Sequence, residues 1–368
     1  MPGLRQLDSA QNPLRQLALP LLVACAAMLA GCTTPGTTVS GPFNIVPAPD
    51  EAPAYTAQQK AAQENLVKMV ALQDRLSKVS APLLINNADL CKTYARNLLG
   101  FTAQNKYSYP GVYADAAQAA LGYGEQMQVS SVLPGSGAAR AGLRTGDGLL
   151  AAEGKPLPAG PNAEGPFGAI VGPLASKSAS INMTIARQGQ PQDLKIPVTR
   201  ACAFRVALGN ADNINAYSDG ARIMVTRGMV NAANNDEGIA FVIAREMAHN
   251  ILDHARSQHT AGTAGSIIDS LGAVQPDVSM LTGAAGIKAM PQELDVQADT
   301  LAIYLLARAG YNVDNAARFW QRLATQVPAT VANGYTALHP GTNSRMAAIN
   351  RAVTDVRAKQ AAKKPLKP

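Results

Sequence analysis

Apolar residues recur along this chain with two different periods, and the change of period divides it into helical and β-rich stretches. In residues 56–79 they recur mostly every three or four positions, which predicts a helix. In residues 126–131, Met127, Val129 and Ser131 alternate with the polar residues between them, and this alternation predicts a strand. The alternating segments 181–185 and 194–198 flank a turn that contains Gly189, and together they predict a hairpin.

Helical spacing returns after Cys202 and dominates the rest of the chain. The predicted helices there are centred on residues 239–251, 294–305, 319–323 and 346–356, and Gly310 is expected to end the second one as its C′ residue. Two stretches are less regular. Residues 86–98 predict a second short helix or a loop, and the Gly- and Ala-rich residues 260–290 predict a mobile or partly helical insertion.

These patterns predict an α+β fold in which a small β-rich module precedes a mainly helical domain with a short sheet. A length of 368 residues is typical of about two domains. The predicted division is a leader at 1–31, a tether at 32–55, a helical segment at 56–109, the β-rich domain at 110–200, the helical domain at 201–356 and a basic tail at 357–368.

The first residues have the pattern of an export signal. Arg5 and Arg15 precede an apolar run, 17–30, that is too short to span a bilayer comfortably. The run ends in Leu29-Ala30-Gly31-Cys32, which resembles the lipobox of bacterial lipoproteins. This resemblance implies cleavage before Cys32, lipidation of Cys32 and attachment to a membrane, and Thr33 after it implies the outer membrane, facing the periplasm. An ordinary exported protein is the alternative.

The cysteines are consistent with export. Cys25 leaves with the leader and Cys32 would carry lipid, so Cys91 and Cys202 remain. Outside the cytoplasm such a pair is expected to form a disulfide. Two separate buried thiols are the alternative.

The net charge of +7 does not point to nucleic acid as a partner. Five of these charges lie in residues 357–368 and one in residues 1–31, which leaves +1 for residues 32–356. Nucleic-acid binding needs a clustered basic face. The tail itself is expected to be a solvated, disordered end, with contact to an anionic surface as the alternative.

The β-rich module resembles the PDZ domains of bacterial envelope proteases. The resemblance covers residues 110–200 and rests on Leu121-Gly122-Tyr123-Gly124, on Ala138-Ala139-Arg140-Ala141-Gly142-Leu143 and on Gly146-Asp147. It implies that the loop of Leu121, Gly122, Tyr123 and Gly124 binds a peptide's terminal carboxylate, and that the strand at 126–132 accepts the peptide. A spacer domain without a ligand is the alternative.

A degenerate metallopeptidase motif lies on the predicted helix at 239–251. Zinc peptidases carry His-Glu-x-x-His, which puts both imidazoles on one helix face. Here the sequence is Arg245-Glu246-Met247-Ala248-His249, followed later by Glu293-Leu294-Asp295-Val296-Gln297-Ala298-Asp299 and by Leu338-His339-Pro340-Gly341. In order and spacing, residues 200–355 resemble the HtpX-like zinc metallopeptidases, relatives of the CAAX prenyl endopeptidase.

The resemblance implies roles for individual residues. Glu246 matches the general base, His249 the second zinc ligand, and Asp299 the carboxylate that orients a ligand. Asp295 stands where the family has a ligand Glu, and Arg245 where it has the first ligand His. His339 matches the loop that closes over the cleft, and the segment 222–225 matches the edge strand that aligns substrate.

Arg245 puts the activity in question, because a guanidinium has no lone pair to donate and stays protonated. A catalytic zinc site usually keeps three protein ligands. His339 could join His249 and Asp295 as the third. We expect instead that Arg245 forms an ion pair with Asp295 or Glu246.

Other titratable residues have no matching role in the motif. His254 and His259 are expected to pack or cap, and Glu293 is expected to be a solvated acid in the first turn of its helix.

The functional hypotheses therefore differ in whether zinc is used. The first is a protein that engages unfolded or mislocalised envelope polypeptides, including their C-terminal segments, as a pseudopeptidase without a cofactor. The second is a zinc metalloendopeptidase with a rearranged site of His249, Asp295 and His339. A purely structural lipoprotein is the third.

Overall fold

The computed structural model describes residues 55–282, 289–326, 339–340 and 343–368 of the chain. The predicted leader, Cys32 and nearly all of the predicted tether lie outside the described residues, so they stay predictions. Within the described ranges, no helix is long and apolar enough to cross a membrane.

The helix predicted at 56–79 is α1, Ala57–Asn86, and it extends beyond the predicted end. It begins at a capping box, in which the Thr56 side chain accepts from the Gln59 backbone N–H and the Gln59 side chain accepts from the Thr56 backbone N–H. It continues through Pro82, which costs about 3 kcal/mol in a helix interior. The two leucines after this proline are buried in the main core, and each contributes about 1.5–3 kcal/mol, which offsets that cost.

The short helix or loop predicted at 86–98 contains a strand that the sequence pattern did not reveal. A 3₁₀ turn, Lys92–Tyr94, leads into β1, Ala95–Leu98. β1 pairs antiparallel with β8, Thr199–Cys202. A strand of four residues is too short for its alternation to stand out, which explains the omission.

The β-rich module contains a six-stranded sheet and three helices. The strands are β2 (Phe101–Gln104), β3 (Gln128–Val132), β4 (Gly148–Ala152), β5 (Lys155–Pro156), β6 (Ser180–Arg187) and β7 (Gln190–Pro197), and the helices are α2 (Val112–Leu121), α3 (Gly137–Arg140) and α4 (Glu164–Lys177). The strand order is β2-β3-β4-β6-β7, with β5 paired to β4. The sheet therefore begins before the predicted domain boundary at residue 110, and β3 has neighbours on both sides.

The predicted hairpin is confirmed as β6 and β7, which pair antiparallel along their whole length. Gln188 and Gly189 connect them with φ values of 52° and 76°. Two left-handed residues in a two-residue loop match the right-handed twist of the strands.

The second part of the chain is mainly helical around a three-stranded sheet, so the predicted α+β fold is confirmed. The strands are β9 (Arg205–Gly209), β10 (Ala216–Ser218) and β11 (Arg222–Thr226), and the helices are α5 (Arg227–Ala233), α6 (Asp236–Ile251), α7 (His254–Ser257), α8 (Ala261–Leu271), α9 (Ser279–Thr282), α10 (Gln292–Arg308), α11 (Ala316–Gln326) and α12 (Asn343–Ala361). The strand order is β10-β11-β9, so β11 lies in the middle.

Helix α6 lies at the centre of the main core, and its residues 238–251 are all buried. Small side chains such as Ala244, Ala248 and Ala298 belong to this core, which lets α10 pack closely against α6. Helix α1 contributes Leu76 and Leu83 to the same core. Gly310, with φ at 85°, follows α10 as predicted.

Cys91 and Cys202 form the predicted disulfide, with Cα atoms 5.6 Å apart. Both residues are fully buried in the main core. The bond joins the segment after α1 to β8, which leads into the mainly helical part.

Of the two segments predicted to be irregular, the insertion at 260–290 is partly helical, which was one of the two predicted forms, and the prediction of a disordered tail was wrong for the described residues. In 260–290, helix α8 packs Ile267, Ile268 and Leu271 into a cluster with Tyr217 and Met224 of the sheet. The expected disordered tail begins inside α12, where Arg357 bonds to Asp314. The end of the chain stays close to the fold, because the backbone carbonyl of residue 366 accepts from Arg308 Nη1 at 3.3 Å. Apolar burial holds the Gly- and Ala-rich segment in place, and ion pairing holds the start of the polar tail in place.

Candidate active site

Helix α6 carries three functional side chains into the core. Its first turn is capped by Asn235, whose side chain accepts from the Gly238 backbone N–H at 2.8 Å. One face of the helix then presents Arg245, Glu246 and His249, each no more than 2 % exposed. A spacing of four residues brings Arg245 and His249 one above the other on this face, as the sequence predicts.

Arg245 is bonded to two carboxylates of α10. Its Nη2 donates to Asp295 Oδ1 at 2.5 Å and its Nε donates to Asp299 Oδ1 at 2.8 Å. The predicted ion pair with Asp295 is confirmed. The predicted alternative partner, Glu246, is farther away, with 3.9 Å between Arg245 Nη1 and Glu246 Oε1. The guanidinium also lies 5.5 Å from the ring centre of Trp320.

A second buried arginine, Arg345 of α12, completes this network. Its Nε donates to Asp299 Oδ2 at 2.7 Å and its Nη2 donates to Asp299 Oδ1 at 3.1 Å. Its Nη1 donates to the backbone carbonyls of His339 and Pro340, at 2.8 and 3.0 Å. Arg345 therefore positions the His-Pro segment against α10. Sequence reasoning did not assign it a role, although it follows the His-Pro pair closely.

His339 lies where the resemblance implies, beside the zinc-ligand positions. Its Nδ1 is 2.8 Å from Asp295 Oδ1 and 3.1 Å from Arg245 Nη2. Its ring centre is 5.2 Å from that of His249. The structure thus brings together every residue that the motif predicted for this site.

Glu246 and His249 each have one atom bonded and one atom without a partner. Glu246 Oε2 accepts from Ser218 Oγ of β10 at 2.7 Å. His249 Nδ1 is 2.9 Å from Nδ1 of His254. Glu246 Oε1 and His249 Nε2 are buried and have no hydrogen-bond partner among the described residues.

His254 has a role that the sequence did not reveal. It was expected to pack or cap, and it does pack in the core, but it also holds the ring of His249 through the Nδ1 to Nδ1 contact. Asp253, with φ at 62°, turns the chain between α6 and α7 and so brings His254 back toward His249. A spacing of five residues does not place two side chains on one helix face, which is why periodicity alone missed the contact.

Burial dominates the electrostatics of the site. It lowers the pKa of His249 and the pKa of His339 well below the ordinary histidine value, and the nearby Arg245 acts in the same direction. Both imidazoles are therefore neutral at pH 7. Burial also raises the pKa of Glu246 and the pKa of Asp295, and in both cases Arg245 opposes the rise.

The side chains only partly fit the zinc ion that the motif implies. His249, Asp295 and His339 offer ligand atoms within 4.8 Å of one another, and His249 Nε2 is unpartnered. However, Asp295 Oδ1 already contacts both Arg245 and His339. A fixed guanidinium also repels a divalent cation at this distance. The arrangement as it stands does not fit a resident zinc ion.

A small cavity adjoins the two unpartnered atoms. It measures about 40 Å³ and is lined by Glu246, His249 and His339, by β10 residues that include Tyr217, and by Thr260 from the segment before α8. The strand beside the site is therefore β10. The segment 222–225, expected from the resemblance to be the edge strand, belongs to β11, whose two sides are paired with β10 and β9.

The loop predicted to bind a peptide carboxylate is a helix cap instead. The backbone N–H groups of Gly122 and Tyr123 donate to carbonyls in α2, at 3.2 Å each, so they are not available to an anion. Gly122 has φ at 71°, and the Tyr123 ring is buried and stacked on Tyr109. Leu121 is the last residue of α2, and the Gly124 carbonyl accepts from the Lys106 N–H. The strand expected to accept the peptide is β3, which is flanked on both sides.

Sequence comparisons place this site in a known family. Residues 176–353 match peptidase family M48. The chain is 22 % identical over 147 residues to the mitochondrial metalloendopeptidase OMA1 of Schizosaccharomyces pombe, covering 38 % of this chain and 44 % of that protein. It is 28 % identical over 139 residues to the beta-barrel assembly-enhancing protease of Yersinia pestis, covering 33 % of this chain and 29 % of that protein. The chain thus spans less than half the length of either relative.

A solved structure that resembles part of the chain is the HtrA3 PDZ domain bound to a phage-derived ligand, at 14 % identity and a TM-score of 0.23, covering 29 % of this chain and 88 % of that one. The matches of residues 176–353 agree with the arrangement of Glu246, His249, Asp295 and His339 on α6, α10 and the His-Pro segment. The chain thus contains a peptidase M48 domain at residues 176–353, similar to the HtpX-like metallopeptidases.

Proposed function

We propose that this protein binds unfolded or mislocalised polypeptides of the bacterial envelope and has lost zinc-dependent peptidase activity. The observation that carries this proposal is the buried guanidinium of Arg245, bonded to Asp295 and Asp299 where the family holds its metal. An organic cation there neutralises the carboxylates that a zinc ion would otherwise require as partners. The protein would then act as an adaptor for envelope proteins.

The envelope setting is supported by two features. The Yersinia pestis relative is named a beta-barrel assembly-enhancing protease, and it is a bacterial protein. A disulfide between Cys91 and Cys202 favours an oxidising compartment. Lipidation of Cys32 and a tether to the outer membrane, facing the periplasm, belong to the same proposal.

Metal analysis of the purified, dialysed protein tests the loss of zinc. We expect far less than one zinc per chain and no cleavage of casein. Replacing Arg245 by His, alone or with Asp295→Glu, should restore zinc binding, because His249 and Glu246 keep their places on α6. Arg256→His is the matched control, since Arg256 is exposed on α7 and lies outside the network. Trp320, the single tryptophan of the chain, lies beside the site, so its fluorescence reports metal entry.

An active peptidase with a rearranged site is the second candidate, because His249, Asp295 and His339 already lie within ligand distance of one another. It requires the guanidinium to leave Asp295. Near-stoichiometric zinc in the wild-type protein, lost in His339→Ala, would establish that candidate and reject the pseudopeptidase.

Polypeptide binding requires its own test, since the absence of activity does not demonstrate it. Reduced, carboxymethylated casein should bind the purified protein and should not be cleaved. Failure to bind any unfolded chain would favour a purely structural role instead.

A further inference from the structure

The residues that follow α12 carry three lysines without an acidic partner. Lys363, Lys364 and Lys367 are exposed, and within the described ranges none of them forms an ion pair. We call these three residues the tail lysines. Residues 357–368 carry +5 of the net charge and residues 32–356 only +1, so the surplus positive charge is concentrated at this end of the fold.

The acidic residues that contact this end are already paired with other bases. Asp314 bonds to Arg357 and Asp355 bonds to Lys359, each at 2.6 Å. Lys359 Nζ also donates to the backbone carbonyl of Lys367 at 2.6 Å. Arg357 and Lys359 therefore serve the fold, because they hold α12 and the segment after it in place. The tail lysines have no such contact, and their ammonium groups stay available to a partner.

The backbone holds the tail lysines in fixed positions. Leu366, which lies between two of them, packs against the main core. The backbone N–H of Lys364 donates to the Lys359 carbonyl at 2.8 Å, and that of Lys363 donates to the Gln360 carbonyl at 3.1 Å. These bonds close the end of α12, so the ammonium groups are not needed to cap the helix.

Lys363 lies in a strained backbone conformation, with φ at 53°. A residue with a Cβ atom is disfavoured in this left-handed region, and glycine is the usual residue at such a helix end. The fold alone therefore favours glycine at this position. A strained residue that the fold does not require points to a use of its side chain outside the fold.

We propose that the tail lysines bind the surface of a membrane that contains anionic phospholipids. Residues 361–365 are all exposed, so they enclose no pocket for a small anion and present an open cationic surface instead. Each lysine near an anionic lipid surface strengthens binding about fivefold, so the three together give roughly a hundredfold preference over a neutral membrane. A membrane, rather than a nucleic acid, is the polyanion available in the proposed envelope setting, and this step rests on the proposed function.

Sedimentation of the purified protein with lipid vesicles tests this surface. One set of vesicles consists of phosphatidylcholine alone, and the other of equal parts of phosphatidylcholine and phosphatidylglycerol, so that a lipid on Cys32 contributes equally to both. We expect about hundredfold tighter binding to the anionic set at low ionic strength, and loss of this difference at high salt, because salt screens exposed charges. Equal binding to both sets at low ionic strength would overturn the proposal.

A charge-matched pair of variants assigns the preference to the tail. The test variant is Lys363→Gln/Lys364→Gln/Lys367→Gln. The control variant is Lys60→Gln/Lys155→Gln/Lys177→Gln, which removes the same charge at three other exposed positions. The test variant should bind both vesicle sets equally, and the control variant should keep the preference. The same loss in both variants would show that net charge acts rather than the tail lysines, and would reject the proposal.

Lys363→Gly keeps the test independent of folding defects. Glycine relieves the left-handed strain, so the urea midpoint should stay the same or rise, while binding to the anionic vesicles should weaken about fivefold. Unchanged binding in this variant would contradict the proposal. Displacement from the vesicles by poly-glutamate at equal charge would assign the surface to an acidic polypeptide instead. Casein binding without vesicle preference would reject this surface and leave the proposed function intact, and the reverse result would reject the proposed function alone.

Discussion

Arg245 Nε and Asp299 Oδ1 lie 2.8 Å apart in the core, and the same Asp299 carboxylate accepts two further hydrogen bonds from Arg345. One carboxylate therefore binds two guanidinium groups, one from α6 and one from α12. In the family resemblance this aspartate only orients a ligand histidine. Here it links the helix that carries the degenerate motif to the helix that holds the His-Pro segment.

Removing the charge of Asp299 should destabilise the protein strongly. Asp299→Asn keeps the shape but leaves Arg245 and Arg345 undercompensated in the core, which typically costs about 3–5 kcal/mol. Asp314→Asn is the control, because Asp314 forms its ion pair with Arg357 in solvent, where the loss is small. Urea unfolding followed by circular dichroism measures both. Equal losses in the two variants would show that the buried network does not stabilise the fold.

The sequence predicts well those helices and strands that are long enough to repeat their hydrophobic pattern several times. The sixteen residues of α6 and the paired strands β6 and β7 repeat their pattern often enough to be recognised. The four-residue strands β1 and β2 do not, and the edge of the β-rich sheet was missed with them. Short strands are defined by their partners, which lie far away in sequence.

The contacts of the candidate site were likewise predictable from the sequence only in part. The motif spacing on α6 and α10 predicted that Arg245 would meet Asp295. The contribution of Arg345 and the contact between His249 and His254 depend on how α12 and α7 return to the site. No local spacing contains that information. The carboxylate loop was misplaced because Gly122 serves a helix cap, which uses the same left-handed glycine as an anion-binding turn.

The disulfide should contribute a large part of the stability. It closes a loop of 111 residues, which corresponds to about 4–5 kcal/mol on the chain-entropy model. Denatured, non-reduced protein should show no reactive thiol at Cys91 or Cys202, and dithiothreitol should lower the urea midpoint. The double variant Cys91→Ala/Cys202→Ala is the control and should be insensitive to dithiothreitol. Free thiols at both positions in the native protein would contradict this prediction.

Tyr123 should make the protein sensitive to alkali. Burial raises the pKa of this phenol to about 12, compared with 10.0 in an exposed chain. Above pH 10 the unfolded state loses the proton while the folded state keeps it. The stabilisation is therefore complete below pH 10 and is lost as the pH rises toward 12, at roughly 1.4 kcal/mol per pH unit. Tyr123→Phe should make the pH dependence of the unfolding free energy shallower between pH 10 and 11.5. An unchanged slope would mean that Tyr123 ionises equally in both states.

Peptide addition is expected at the β2 edge of the β-rich sheet. Among the described residues no strand pairs with the outer side of β2, and Phe101 and Ala103 pack against the module core. The opposite edge, β7, carries Pro191 and the charged Asp193 and Lys195, which hinder strand addition. β2 has neither proline nor charge, so an extended peptide C-terminus meets an unprotected edge there.

Hydrogen exchange locates such a peptide directly. A C-terminal peptide selected for binding to the purified protein should slow amide exchange in residues 101–104 and leave 190–197 unchanged. The peptide adds backbone hydrogen bonds only to the edge that it joins. Its C-terminally amidated form is the control and should bind more weakly if the carboxylate is recognised. Protection confined to β7, or equal binding of the amidated peptide, would show that the β2 edge does not recognise peptide C-termini.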